Sequence, residues 1–141
     1  AGTQAGAAFD NPVRAMSTAT GAVDVTFNGH TNGVQSIACS RAGGIIATGS
    51  VDKSVRLWSI PSRQPAGRLP IDGEHAVMFS PDSTTLVTSG SGETAGLWNV
   101  ATGQRTRVVQ HPGRITSVVF SPDGRALATA GQDGSVILWA V

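Results

Sequence analysis

The side chains that could carry catalysis or hold a metal are few in this sequence: His30, His75, His111, the sole cysteine Cys39, and nine carboxylates set among many hydroxyl residues. A protein metal centre draws closely spaced histidines and cysteines together. Here the histidines lie far apart and one cysteine cannot complete a set, so no metal or cofactor is expected. A serine nucleophile on a strand-to-helix elbow would need Gly-x-Ser-x-Gly, which is missing. Gly90-Ser91-Gly92 is followed by no Gly-Lys-Ser/Thr and reads as a turn, not a phosphate loop. Arg105 and Arg107 alternate along one short run and suit a solvated outer strand. The chain is not expected to be an enzyme.

The elements that must position these residues are set by a repeat. Val55-Arg56-Leu57-Trp58, Ala95-Gly96-Leu97-Trp98 and Val136-Ile137-Leu138-Trp139 are spaced by 40 and 41 residues and hold all three tryptophans. A period of that size belongs to stacked repeats, each of which needs a neighbour to bury its apolar face. The third unit reads as four short runs: 104–109, then 115–120, 126–130 and 135–139. Ser121-Pro122-Asp123-Gly124 and Gln132-Asp133-Gly134 punctuate the last three, with Pro presetting φ and Gly or Asp supplying the turn. The second unit repeats the pattern through His75, Ser80-Pro81-Asp82-Ser83 and Trp98. The first does so through 34–39, 45–48 and 55–58. In this alignment Cys39 takes the place of Phe79 and Phe120, so it is expected to be an inert core residue. His75 takes the place of Thr116 and is expected to be an ordinary strand residue.

Composition agrees with a turn-rich β protein. Charged residues make up 13% of the chain and 18 of its 141 residues are glycine, nearly twice the usual glycine share of about 7%. There is no sustained apolar stripe of period 3.6. Four short strands in about 40 residues select an all-β fold: a β-propeller arc of four-stranded antiparallel blades, about three and a half blades, an incomplete ring in one chain. Residues 1–16 read as the degenerate end of a partial blade. Met16 stands in the tryptophan place there, and a further strand is expected over 5–9.

The words Gly29-His30, Ser80-Pro81-Asp82, Ser121-Pro122-Asp123-Gly124, Gly131-Gln132-Asp133-Gly134 and Leu138-Trp139 resemble the WD-repeat β-propeller family. The resemblance covers residues 17–141 as three WD-type repeats, 17–58, 59–98 and 99–139, one propeller half. The residue after each tryptophan departs from the family's dipeptide: Ser59, Asn99 and Ala140. The resemblance implies a hydrogen-bonded set of His, Ser or Thr, Asp and Trp in each repeat. Carried over, this gives His30, Thr48, Asp52 and Trp58, and again His111, Thr129, Asp133 and Trp139. In the second unit Pro70 or Ile71 replaces the His and Gly92 the Asp, which leaves Thr88 and Trp98, so apolar packing and a less rigid loop are expected there. The chemistry is independent of the family: a buried indole N–H needs an acceptor and a buried carboxylate needs donors. His, hydroxyl and Asp together look like a hydrolase triad. Their recurrence at the repeat period, each time tied to a tryptophan, favours a structural role. Each tryptophan is expected to be largely buried between blades.

The function that the resemblance implies is a non-catalytic protein–protein interaction scaffold. The alternative is a regulatory or sensory C-terminal propeller piece of a larger signalling enzyme. Loops at one end of the blades would hold the partner contacts Asn32, Asp52, Lys53, Glu74, Glu93, Arg114 and Gln132. Their mixed charge suits a protein or peptide. A net charge of +1 argues against nucleic acid or an anionic membrane, and a single cysteine fits a reducing, cytoplasmic compartment. The chain begins at Ala1 within a blade and passes only two residues beyond Trp139. It is therefore expected to associate, as a homodimer or with a complementary propeller half, so that the N-terminal strands of one chain meet the last blade of the other.

Overall fold

The computed structural model describes residues 12–71 and 76–141. Glu74, His75 and the strand expected over 5–9 lie outside the described residues. Among the described residues thirteen strands run β1 Val13–Met16, β2 Val23–Phe27, β3 Val34–Cys39, β4 Ile45–Ser50, β5 Ser54–Ser59, β6 Gln64–Pro70, β7 Ala76–Phe79, β8 Thr85–Ser89, β9 Thr94–Asn99, β10 Arg105–Gln110, β11 Ile115–Phe120, β12 Ala126–Gly131 and β13 Val136–Ala140. They form two complete blades, β3-β4-β5-β6 and β7-β8-β9-β10, flanked by the pair β1-β2 and the three-stranded β11-β12-β13. Every pairing is antiparallel between sequence neighbours. No helix occurs among the described residues, and the sheets form an open arc, a partial propeller.

Alternation along the strands decides which neighbour each side chain meets. In the first blade Ala47, Val55 and Leu57 face forward, where they pack with Val77, Phe79, Leu86 and Trp98 of the second. Val87, Ala95, Leu97 and Val109 of the second blade pack in the same way on Ile115, Phe120 and Leu127 of the third, with Trp139 at the margin. Trp58 and Ile46 face backward onto Val13 and Phe27. The Phe27 and Trp58 rings lie 5.2 Å apart at 36°. Each interface is thus a Trp-bearing face laid on a Leu/Val/Ala face. Pro65 and Pro70 are tolerated because β6 is an outer strand whose far edge needs no donors.

Two expectations fail at the ends of the arc, for one reason. Cys39 is exposed rather than in the core. It lies across from Ile46, on the backward face, where Phe79 and Phe120 are covered by the preceding blade. The blade before it contributes only β1 and β2 among the described residues, and these reach Trp58 and Val34 at one end of β3 but leave the rest of that strand's backward face bare. Ile37, on the same face, is 57% exposed. Trp139 is likewise only half-buried, because β13 is the edge of a three-stranded sheet. The forward face of that sheet is bare: Leu138 is 74% exposed, whereas Leu57 and Leu97 at the matching places are 3% and 2%.

Single-tryptophan variants read this difference directly. Protein retaining only Trp58 should emit as a buried indole and resist acrylamide. Protein retaining only Trp139 should emit further to the red and quench faster. Equal quenching of the two would contradict the end-blade geometry.

Candidate functional site

The turns between the second and third strands of each blade and the connections between blades gather at one end of the arc. There the first blade brings His30, Thr48, Asp52 and Trp58 together. Trp58 Nε1 donates to Thr48 Oγ1 at 2.8 Å, and Thr48 Oγ1 meets His30 Nε2 at 2.7 Å. His30 Nδ1 meets Asp52 Oδ2 at 2.8 Å. An indole nitrogen only donates, so the threonine oxygen accepts from it and its one proton goes to the imidazole. That assignment makes Nε2 the acceptor and Nδ1–H the donor to the carboxylate, and it leaves both ring nitrogens, the hydroxyl and the indole N–H of this four-residue set partnered. Ring edge contact adds to it, with the His30 and Trp58 centroids 6.0 Å apart.

The third blade builds the set with the imidazole turned over. Trp139 Nε1 donates to Thr129 Oγ1 at 3.0 Å, and that oxygen meets His111 Nδ1 at 2.8 Å. His111 Nε2 reaches Asp133 at 3.3 Å and Ser135 Oγ at 2.9 Å, and the serine in turn donates to the carboxylate. The His111 ring occupies the space that a Cβ on Gly131 would fill, 2.3 Å from Nε2. Asp133 is also more open, with 32% of its side chain exposed against 5% for Asp52.

The serines were not legible as members of these sets. Ser54 donates to Asp52 through both hydroxyl, at 2.6 Å, and main-chain N–H, and Ser135 does the same for Asp133. The signal was present as a repeated Asp-x-Ser word. Burial alone would raise the Asp52 carboxyl. Hydrogen bonds from Ser54, His30 and the Thr31 N–H outweigh it and hold the group at about 2. Asp133 is also lowered, chiefly by the N–H and hydroxyl of Ser135. At the opposite end of the blades Asp82 and Asp123 are lowered by Ser80 and Ser121 within the Ser-Pro-Asp turns.

The second blade keeps the Thr88–Trp98 bond at 2.9 Å, with Arg105 5.8 Å from the indole centroid. A hollow of about 140 Å³ lined in part by Ile71, Thr88, Gly96 and Trp98 lies beside that bond. Its loop is secured by other means: Gly92 C=O accepts from the Ile115 N–H at 2.9 Å, Glu93 C=O from the His111 N–H at 2.7 Å, and the Glu93 carboxylate from Gln110. Asn32, Lys53, Glu93, Arg114 and Gln132 all sit exposed in loops at this end, with Asp52 half-buried among them. No group of three or more metal-ligating side chains occurs among the described residues.

Two expected outcomes follow from this geometry. His111→Ala and Gly131→Ala should each lower stability by about 1–3 kcal/mol in denaturant melts, because each strands buried polar partners. Gly92→Ala, where a Cβ meets nothing within 4 Å, should change little. Equal losses at all three would refute the set. Asp52 has its carboxyl lowered on folding, so its contribution is full above the unfolded value near 3.8 and fades as pH falls toward about 2. Across that window the stability gap between wild type and Asp52→Asn should close, and a gap independent of pH would contradict the assignment.

Comparison with known proteins agrees with this architecture. The profile of the family described as WD domain, G-beta repeat matches residues 21–59 and 103–140, on either side of the degenerate second set. The chain is 34% identical over 88 residues to the Lissencephaly-1 homolog of Caenorhabditis briggsae, covering 60% of this chain and 23% of that protein. It is 33% identical over 95 residues to the Periodic tryptophan protein 2 homolog of Schizosaccharomyces pombe, covering 66% and 11%. WD repeat-containing protein 18 of Rattus norvegicus is 38% identical over 60 residues, covering 40% and 14%. The chain therefore spans less than a quarter of the length of these relatives. With its tryptophan-registered blades and two complete His–Thr–Asp–Trp sets, it belongs to the WD-repeat family.

Proposed function

We propose that the chain is a non-catalytic protein–protein interaction scaffold whose end blades are covered by a second copy of itself. The observation that carries the second part is the match between its two bare faces. Val119, Val136 and Leu138 of the third blade are exposed. They repeat the surface that the first blade offers to Val77 and Phe79. Ile37 and Cys39 stand bare in the places of Val77 and Phe79. The chain thus exposes both halves of an interface it already makes twice internally. Burying a leucine is worth about 1.5–3 kcal/mol, so several such residues on each face favour association. An isologous pair about a two-fold axis satisfies both faces at once, with the N-terminal strands of one copy against the last blade of the other. Two arcs of three to four blades make a ring of six to eight, within the usual range for propellers of about four to eight.

The scaffold reading rests on family membership, on loops of mixed charge at one end, and on the structural use of both His–Thr–Asp sets. Each imidazole is buried, and each threonine hydroxyl is committed to a tryptophan, which leaves neither as a nucleophile. The Leu138 edge and the loop end are separate surfaces, so self-association leaves the loops open to a partner.

Sedimentation or light scattering of the 141-residue chain should give twice its 14.3 kDa. Leu138→Glu should return it to the single-chain mass while keeping the β circular dichroism. A stable wild-type monomer at micromolar concentration, or a requirement for a different chain, would overturn the self-pairing. Ester or peptide hydrolysis abolished by Thr48→Ala would overturn the non-catalytic reading.

A further inference from the structure

At the loop end the inner strands β3, β7 and β11 come together, and between them lies a recess of about 260 Å³ whose lining includes Gln35, Ser89, Ser91, Arg114 and Thr116. Two of these groups have no task in the blade. Ser89 takes the place of Gly49 in the first blade and Ala130 in the third, so the fold asks only for a small residue. It is 5% exposed and shares the forward face of Val87 and Ala95, which directs its side chain toward the third blade. Its hydroxyl has no hydrogen-bond partner among the described residues. Ser50, one place further along the first blade, is by contrast occupied: it donates to the Asn32 C=O and accepts from the Asp52 N–H.

Arg114 stands where the first blade has Gly33. Its side chain is exposed and makes no ion pair among the described residues. Its main chain is fixed on both sides. The Arg114 C=O accepts from Gln132 N–H at 2.9 Å, and the next residue, Ile115, donates its N–H to Gly92 C=O at 2.9 Å. Glu93, the acidic group on the neighbouring loop, is engaged with the Gln110 amide. A cation on a held backbone therefore flanks an unpartnered hydroxyl that opens into the recess.

We infer that this recess is a subsite for one anionic side chain, a carboxylate or a phosphate group, on an extended peptide of a partner protein. The inference rests on the scaffold reading above and names the chemistry the scaffold selects. The guanidinium offers parallel N–H donors that match either oxyanion in a fork. Ser89 adds a donor at the floor, where a desolvated hydrogen bond counts most. A neutral guest would leave both groups short of an acceptor, and a basic guest would meet Arg114 directly.

An array of nine-residue peptides tests this, with the central residue fixed as Asp, Glu, phosphoserine, Ser or Lys and the flanks degenerate, probed with the full chain. Acidic centres should bind about tenfold or more tightly than Ser, and Lys least. Arg114→Ala should erase that preference. Ser89→Ala, which copies the third blade and so folds, should weaken acidic peptides several-fold and leave the Ser-centred set unchanged. Stronger capture of phosphoserine assigns a phosphate. Equal or stronger capture of Asp and Glu assigns a carboxylate. Binding without charge preference, or a preference that survives Arg114→Ala, would overturn the subsite and leave the scaffold standing. No binding by any peptide would overturn both.

Discussion

A tryptophan laid between two sheets buries a large apolar surface and one N–H that must find an acceptor, and the arc is organised around that requirement. In all three blades the acceptor is a threonine ten residues earlier: Thr48 for Trp58, Thr88 for Trp98 and Thr129 for Trp139. The bond spans the turn between the second and third strands, so it pins their register at the point where the indole leaves the sheet. Slipping either strand by one residue would turn the tryptophan to the wrong face and leave its N–H unpaired. The apolar half of the same side chain then covers the preceding blade. Register within a blade and adhesion between blades thus depend on one residue.

The histidine and aspartate extend that bond to the loops. His30 links the buried threonine to Asp52, and Asp52 in turn takes the main-chain N–H groups of Thr31 and Ser54. Two loops from different connections are tied to one carboxylate, whose lowered pKa keeps it charged across the physiological range. The second blade lacks both residues and yet keeps its strands. Its threonine–tryptophan bond lies in the interior, and its loop is attached to the next blade through main-chain carbonyls. What that blade lacks is a polar link at the rim, where Asp133 of the third blade is already partly solvated. Links near water contribute less than those in the interior.

Strand order, turn positions and membership of the His–Thr–Asp–Trp sets were legible because each follows from position within a repeat. The exposure of Cys39, Ile37, Trp139 and Leu138 was not legible, because it depends on which sheet lies next to the residue. Cys39 and Phe79 are equivalent in register and opposite in environment. The reversed His111 ring was also hidden: it follows from the space left by Gly131, where the first blade carries Ser50. Ser54 and Ser135 could have been found from the recurring Asp-x-Ser word, since a carboxylate in a tight turn needs donors two residues on.

One polar atom in the described interior remains without a partner: Arg56 Nε, in the first blade. Its strand places Arg56 opposite Arg68, two cations side by side on the face that also carries Trp58. Gly29 makes the arrangement possible, since a Cβ there would come within 2.8 Å of the Arg56 guanidinium, and its φ of +154° suits glycine. At the matching place the second blade has Gly96 and the third Ile137, so the arginine is peculiar to this blade. Apolar or absent side chains serve the other two interfaces without cost. The first blade instead holds a guanidinium with its Nε unpaired, against the sheet of β1 and β2. The stacking of that two-stranded sheet is therefore the weakest joint of the arc on physical grounds. It combines the fewest strands with like charges across the ladder and an unsatisfied donor, while the joints between the three later blades leave no buried side-chain donor unpaired among the described residues.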